Sequence, residues 1–320
     1  MITRRNFIEG ACAGLAAAAA SGCGRKPLAA GPSVRSAVAI LRAGSYQVDL
    51  ADRMARGAAL LGLEVRGKRV LLKPNLVEFD RANVVHTDVA VLAAAVELFE
   101  KLGAAEVIIG EGPGHRRDTL SLAGEAGYRA AIRGFDRRFT DLNRDDVAPV
   151  APFAGAGRIY LPETALGADL IVSVARMKTH HWTGATLALK NLFGVVPGSL
   201  YGWPKNYLHH IGIERSVAEL YRIFPRSFAI VDGIVGMEGN GPVQGRPRPL
   251  GALVMGADLA AVDTTCCRIM GIDPEKIGYL RLASVQGNVR EERIEQRGES
   301  IAALATRFEL IPEFRHVRLG

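Results

Sequence analysis

The chain has 320 residues, 48% hydrophobic and 23% charged, a composition typical of a globular protein with one large or two modest domains. No uninterrupted apolar run reaches the ~18 residues that a membrane-spanning helix needs, so no such helix is predicted. The formal charge of +7 comes from scattered basic residues without a nucleic-acid-binding motif, so we expect a small anionic ligand and no nucleic acid as partner.

The first residues predict export. Arg4 and Arg5 precede the Ala-rich segment "ACAGLAAAAA", which is the pattern of a twin-arginine signal. "AASGC" then resembles a lipoprotein box that ends at Cys23, although Ala20 stands where Leu is usual. We therefore expect a signal over residues 1–23, a linker over 24–36, and a protein of the periplasm or cell envelope. The membrane would be touched only through a lipid anchor at Cys23.

Cysteine usage predicts a fold without disulfides and without an intrinsic iron–sulfur cluster. Beyond the signal only Cys266 and Cys267 occur, adjacent in an apolar pattern. Adjacent residues on a helix point about 100° apart, so two small core side chains are expected. No CxxC pair or Cys/His finger is present to bind such a cluster within one chain.

Strands and helices alternate after the linker. We predict an apolar strand, followed by a polar or glycine-rich turn, in each of the segments 36–43, 69–77, 106–114, 167–180, 226–236 and 250–263. Helices are predicted over residues 49–62, 86–104, 213–224 and 259–270. Thr87 is expected to cap the second helix, Gly103 to end it, and Asp258 to cap the last. Near-continuous apolar strands between amphipathic helices predict a single α/β domain over 37–315, with a mostly parallel, doubly wound sheet and helices on both faces.

Polar side chains stand at or just past the ends of several predicted strands. Since ligands of such sheets bind at the carboxyl ends of the strands, these side chains predict one site. They are Lys73, Asn75, Glu111, Lys178, His180 and Asp232. Each alone could be a capping or turn residue, whereas the set favours a binding pocket.

The use of lysine strengthens this prediction. Only 8 of the 40 basic residues are lysine, yet Lys73, Lys178, Lys190 and Lys205 lie in motifs rich in Gly, Pro and Asn. An ammonium is a compact charge that can lose its proton when desolvated, unlike a guanidinium. The four lysines therefore favour a site that gathers phosphate or carboxylate groups, or that contains a catalytic amine, although any one of them could be a surface lysine.

Acidic and amide side chains between glycines form a second motif. "IVDGIVGMEGNGPVQG" places Asp232 at a predicted strand end and Glu238 and Asn240 in the glycine-rich stretch after it. Oxygen side chains in such loops suit a hard cation such as Mg²⁺ or Ca²⁺, although the spacing is not that of an EF-hand. A tight glycine turn without a ligand is the other interpretation.

Two pairs of adjacent histidines complete the candidates. His180 and His181 follow Lys178, and His209 and His210 precede a predicted helix. Neither pair has the HExxH spacing of zincins. Because adjacent residues of a strand face opposite sides, we expect one histidine of each pair to point into the site, as a general base or ligand.

Together these motifs resemble the family called domain of unknown function 362. The resemblance spans about residues 70–275 and rests on "LLKPNLV", "HTDVAVLAAAVELFEKLGA", "GADLIVSVARMKTHHWTGATLALKNLFG", "VDGIVGMEGNGPVQG" and "LVMGADLAAVDTTCCRIMG". It implies an α/β domain with recurrent polar positions at Lys73, Asn75, Lys178, His180, Lys190, Asn191, Asp232, Glu238, Asn240, Asp258 and Asp263. Many relatives are fused or linked to ferredoxin-like iron–sulfur modules, but this sequence has no cysteine-rich segment of that kind. We therefore expect that a redox role would need a partner protein.

Two functional hypotheses follow. In the first, an exported enzyme acts on a small anionic substrate. Its catalytic groups would be Lys178, His180 and Lys73, its ligand-binding groups Asn75, Lys190, Asn191, Lys205, His209 and Asn240, and its ligands for a divalent cation Asp232, Glu238 and Asp263. In the second, a non-catalytic protein captures a metal or anion and serves a redox or iron–sulfur partner. The convergence of side chains from separate strands favours the enzyme.

Overall fold

The computed structural model describes residues 32–81, 83–155 and 157–320. The predicted signal with Arg4, Arg5 and Cys23, and most of the predicted linker, lie outside the described residues. Cys266 and Cys267 are buried free thiols of the core, as predicted. No described helix combines the length and the apolar character needed to cross a bilayer.

One large sheet organises the described part of the chain. Eight strands lie in the order β11-β1-β10-β9-β7-β2-β3-β4, and β8 adds to β7 as a ninth. A separate pair, β5 and β6, forms a small antiparallel sheet. The strands are β1 Ser36–Arg42, β2 Arg69–Pro74, β3 Glu106–Glu111, β4 Phe139–Asp141, β5 Val147–Val150, β6 Ile159–Pro162, β7 Leu170–His180, β8 Gly184–Thr186, β9 Ser227–Asn240, β10 Gln244–Gly256 and β11 Ile294–Gly298.

The large sheet is mostly parallel, as predicted. β9, β7, β2, β3 and β4 run parallel to one another, so their carboxyl ends share one edge. β10 is antiparallel to both β9 and β1. The sequence "GMEGNGPVQG", predicted as a glycine-rich loop, is instead the end of β9 and the tight turn into β10, so these two strands form one long hairpin.

Helices cover both faces of this sheet, which confirms the doubly wound arrangement. Alternation along β1 shows the division, since Val38 and Ile40 belong to one core and Ala39 and Leu41 to the other. The α-helices are Leu50–Leu61, Val89–Lys101, Thr119–Glu125, Tyr128–Ala131, Phe135–Arg138, Glu163–Leu166, Ala188–Asn191, Gly198–Tyr201, Asn206–Ile211, Ile213–Ile223, Leu259–Ile269, Gly278–Ala283 and Ile301–Leu304; short 3₁₀ helices are Leu192–Val195, Pro274–Lys276, Glu291–Arg293 and Pro312–Val317.

Helix caps follow the sequence prediction with one correction. Asp258 caps the helix Leu259–Ile269 by accepting from the amides of Ala260 and Ala261, as expected. Thr87 does not cap the helix Val89–Lys101; Asp88 does. The Thr87 hydroxyl is used elsewhere, because it accepts from the amide of Asn75 and donates to the carbonyl of Val174. It therefore positions the segment that follows β2.

Candidate functional site

A cavity of about 440 Å³ opens at the carboxyl ends of β2, β3 and β7. Of the twelve residues that the enzyme hypothesis assigns to catalysis, ligand binding or a cation, eight line it and four do not; Glu111, also predicted at a strand end, lines it too. The eight are Lys73, Asn75, His180, Lys190, Asn191, Lys205, His209 and Asn240. Parallel strands bring the first three together, the segment after β8 adds the next four, and the end of β9 adds Asn240. The rule that ligand sites of such sheets form at strand ends thus located the cavity correctly.

Lys73 and Glu111 form a buried ion pair in its floor. Lys73 Nζ donates to Glu111 Oε2 at 2.7 Å, to Pro74 O at 2.6 Å and to Asn191 Oδ1 at 3.1 Å. Burial lowers the pKa of Lys73, and the Glu111 carboxylate opposes that effect. Gly194 makes room for the pair, since a Cβ there would lie 2.5 Å from Lys73 Nζ. All three ammonium hydrogens are donated to protein oxygens, so Lys73 holds the floor of the cavity in place.

Lys205 is held by backbone carbonyls. Its Nζ donates to Gly112 O at 2.6 Å, to Phe193 O and Gly194 O at 3.2 Å each, and to Val196 O. Burial lowers its pKa to about 7. Its backbone adopts the left-handed conformation (φ 70°), which is unusual for a residue with a side chain. Lys205 therefore ties the segment after β8 to the end of β3, and its donors are already engaged.

Lys178 is fully buried and does not line the cavity. Its Nζ donates to Val85 O at 2.8 Å and to Pro242 O at 3.3 Å. Burial lowers the pKa of Lys178 well below its usual value, and the nearby cations Arg176, Lys190 and Lys73 lower it further. Because Pro242 does line the cavity, Lys178 supports its wall from behind.

Lys190 differs from these three lysines. Within the described part of the chain its ammonium makes no hydrogen bond and no ion pair, and its Nζ lies 4.1 Å from the centre of the Phe193 ring. Removal from water lowers its pKa to about 8. A half-buried amine without a counter-ion, in the wall of a cavity, is available to a ligand. Of the four lysines predicted for the site, Lys190 is therefore the one whose amine is available to bind a ligand.

The histidines differ in which ring nitrogen carries the proton. His180 Nδ1 accepts from the amides of Trp182 (2.9 Å) and Thr183 (3.3 Å), so its proton is on Nε2. Burial, helped by the charge of Lys190, lowers the pKa of His180 to about 2, which keeps the ring neutral. His180 is therefore a fixed hydrogen-bond donor, and it is poorly suited to the role of general base that the sequence suggested.

His181 and His209 have the opposite tautomer. Their Nδ1 atoms face carbonyl oxygens, which only accept: Gly241 O at 2.8 Å for His181 and Lys205 O at 3.1 Å for His209. In the neutral ring Nε2 then carries a lone pair, which suits proton transfer or metal binding. Burial lowers the pKa of His209, which favours that neutral ring.

The expectation of one inward-facing histidine in each pair is correct for His209 and wrong for the first pair. His180 and His181 both line the cavity, because β7 ends at His180 and the alternation of a strand stops there. Trp182, which the sequence did not single out, stacks edge-on against His181 and His209 with ring centres 4.8 and 5.4 Å apart. It is 57% exposed and forms part of the rim.

Two further polar groups of the wall have no hydrogen-bond partner among the described residues. They are the buried Oδ1 of Asn75 and the buried Oγ1 of Thr186, both in side chains 5% exposed. Buried polar atoms of folded proteins are nearly always paired, so such atoms need an explanation. Together with Lys190 and the free Nε2 atoms, they form a set of polar groups that a ligand could satisfy.

The three carboxylates predicted as cation ligands lie apart, each bound to other protein groups. Asp232 lies within β9, which runs on to Asn240, and pairs in register with Arg176 of β7 as a buried ion pair. Glu238 pairs across the β9–β10 hairpin with Arg246 at 3.0 Å. Asp232 is thus not at a strand end and Glu238 is not in a loop, because β9 continues to Asn240, past the predicted boundary.

Asp263 lies in the helix Leu259–Ile269 and accepts from the amides of Ala188 (2.8 Å) and Leu189 (3.1 Å). It caps the short helix that carries Lys190 and Asn191, and burial raises its pKa to about 8. No group of three or more His, Cys, Asp or Glu side chains within the described ranges is arranged to hold a metal ion. Asp232, Glu238 and Asp263 instead contact arginines or backbone amides of the chain.

Comparison with known proteins places the chain in a family. Residues 70–268 match the family described as domain of unknown function (DUF362). A thylakoid-associated protein of Synechocystis sp. is 28% identical over 226 residues, which are 66% of this chain and 65% of that protein. The chain thus spans slightly less than two thirds of this curated relative.

Solved structures resemble the chain more distantly. The lactate racemase apoprotein of Thermoanaerobacterium thermosaccharolyticum superposes with a TM-score of 0.47 at 16% identity, covering 74% of this chain and 57% of the other. A protein from Thermotoga maritima superposes with a TM-score of 0.37 at 13% identity, covering 76% and 59%.

Proposed function

Since this chain belongs to the family called domain of unknown function 362, whose description states no reaction, we propose from the cavity itself that it is an enzyme for a small anionic substrate. The observation that supports this proposal is the set of unpartnered polar groups that line this cavity. Lys190 supplies a cation without a counter-ion, and Asn75 and Thr186 supply buried oxygens without partners. Binding a ligand would remove the cost of leaving these groups unpaired.

Each group has a distinct role in this proposal. The Lys190 ammonium binds the anionic group of the substrate, and the His180 Nε2–H donates a second hydrogen bond to it. Asn75 and Thr186 orient the polar remainder. The Nε2 lone pair of His209 accepts a proton from the substrate, while Lys190 stabilises the negative charge that develops. Proton transfer next to a carboxylate or phosphate is therefore the reaction class that the geometry supports best.

The binding part of this proposal is tested by calorimetric titration with oxalate, pyruvate and inorganic phosphate. We expect at least one of these anions to bind the wild-type protein. A hydrogen bond to a charged group contributes about 1.5–3 kcal/mol, so Lys190→Met should weaken binding about 10- to 160-fold. Lys101→Met is the matched control, because Lys101 is an exposed helical lysine paired with Glu97. Equal affinity of wild type and Lys190→Met would contradict the proposed role.

The catalytic part is tested by exchange. Substrate candidates are incubated with the protein in deuterated water, and loss of the carbon-bound proton next to the anionic group is followed by nuclear magnetic resonance. Exchange by the wild type that His209→Asn abolishes, with anion binding retained, is the expected result. Binding without exchange or turnover for every candidate would favour the non-catalytic alternative.

A further inference from the structure

The amine of Lys190 stands out among the lysines of the site by what surrounds it. Lys73, Lys178 and Lys205 each donate two or more hydrogen bonds to protein oxygens. Such amines are committed to the structure and cannot react without breaking it. Lys190 Nζ lies over the face of Phe193 instead, with no acceptor among the described residues.

The surroundings of Lys190 favour a reactive amine. Phe193, Trp182, Leu76 and Val77 contribute apolar surface to the cavity, which disfavours the charged form of the amine. No carboxylate of the described chain pairs with Lys190 to oppose this effect. Desolvated lysines without a counter-ion are the ones that act as nucleophiles toward carbonyl compounds.

A proton acceptor lines the same cavity as this amine. Phe193 contacts both Lys190 and His209, with 5.6 Å between the Phe193 and His209 ring centres. Because His209 Nδ1 is held by the carbonyl of Lys205, its Nε2 is free to take up and return a proton. His180, which lines the same cavity, offers only a donor.

We propose that Lys190 is a catalytic nucleophile that forms an imine with a small carboxylate bearing a carbonyl group next to the acid, a 2-oxo acid. This inference rests on the proposed function and names its substrate class. A 2-oxo acid fits because the protonated imine keeps a positive charge on Nζ beside the substrate carboxylate. The donor on His180 then remains available to that carboxylate.

The step balances without any other reactant. His209 Nε2 takes one proton from the Lys190 ammonium, and the neutral amine attacks the carbonyl carbon. A C–N bond forms, the carbonyl electron pair moves to oxygen, and a second nitrogen proton transfers to that oxygen. His209 then returns its proton to the hydroxyl group, which leaves as water. The ammonium and the 2-oxo acid have become the protonated imine and one water molecule, with no change in total charge.

The pKa of about 8 for Lys190 agrees with this geometry, since an appreciable share of the amine is unprotonated near neutral pH. An ordinary lysine has a pKa near 10.4, and almost none of it is unprotonated there. The shift is caused by removal from water.

Reductive trapping tests the inference directly. The full chain is incubated with pyruvate or glyoxylate, reduced with sodium borohydride, and digested for peptide mass mapping. We expect one reduced adduct on Lys190, at least about tenfold more abundant than any adduct on the exposed Lys101 of the same sample. Comparison within one sample does not depend on a variant that folds.

Lys190→Arg supplies the matched variant, because it keeps the positive charge and removes the nucleophilic amine. We expect it to bind pyruvate in the calorimeter and to give no adduct at position 190. If the wild type binds pyruvate and other anions but no adduct exceeds the level at Lys101, the imine is refuted and the anion-binding proposal stands. If the wild type binds no anion and gives no adduct, both proposals fail. An adduct concentrated on Lys73, Lys178 or Lys205 also refutes the assignment to Lys190.

Discussion

Lys73→Met is expected to destabilise the protein strongly, because it breaks a buried ion pair from one side. Methionine keeps the approximate length of the side chain but loses the three hydrogen bonds of Lys73 Nζ. The Glu111 carboxylate stays buried, and among the described residues the amides of Leu76 (3.0 Å) and Gly112 (2.9 Å) are the donors that remain to it. Removing one partner of a buried pair costs about 3–5 kcal/mol.

The measurement is urea unfolding followed by circular dichroism, with wild type and variant compared at the same protein concentration. The double variant Lys73→Met, Glu111→Gln removes both charges and should lose less than the sum of the two single variants. Lys101→Met is again the control, since its exposed pair with Glu97 should contribute nothing measurable. If Lys73→Met unfolds at the same urea concentration as Lys101→Met, the ion pair does not stabilise the floor as argued. Additive losses in the double variant would refute the coupling.

Two further predictions concern Lys190 and the helix that carries it. The affinity of the wild type for anions should be constant below about pH 8 and fall above it, because the Lys190 ammonium then loses its proton. Lys190→Arg should show no such fall. Calorimetric titration on both sides of pH 8 measures the difference. Asp263→Ala leaves the amides of Ala188 and Leu189 unpaired, so unfolding should be easier by about 2–6 kcal/mol in urea titrations. An unchanged unfolding free energy would show that other groups satisfy those amides.

The sequence predicted the architecture well because its signals are local. Continuous apolar strands between amphipathic helices need only their own residues to indicate a parallel sheet with covered faces. The strand-end rule then placed Lys73, Asn75 and His180 at one edge, and the structure brings them into one cavity. The motif around Lys190 and Asn191 was found for the same reason, since a short segment after a strand end stays near that end.

Other side chains could not be assigned from the sequence because their partners are distant in the chain. The sequence predicts Asp232 to be a cation ligand at a strand end. In the structure, strand pairing places it beside Arg176, 56 residues earlier in the chain. Glu238 becomes a cross-strand partner of Arg246 only because β9 continues into a hairpin. The spacing of polar and apolar residues along the sequence does not show where a strand ends.

The lysines show most clearly how far the sequence determines this site. Their scarcity and their motifs determined that Lys73, Lys178, Lys190 and Lys205 belong to one region. Which of them meets a ligand was decided by the tertiary structure alone. An ammonium donates its hydrogens to any carbonyl or carboxylate that folding brings within hydrogen-bond distance, and is then not available to a ligand. Those oxygens come from segments up to 118 residues away. Three of the four amines acquire such partners, and among these four only Lys190 has an amine without a hydrogen-bond acceptor among the described residues.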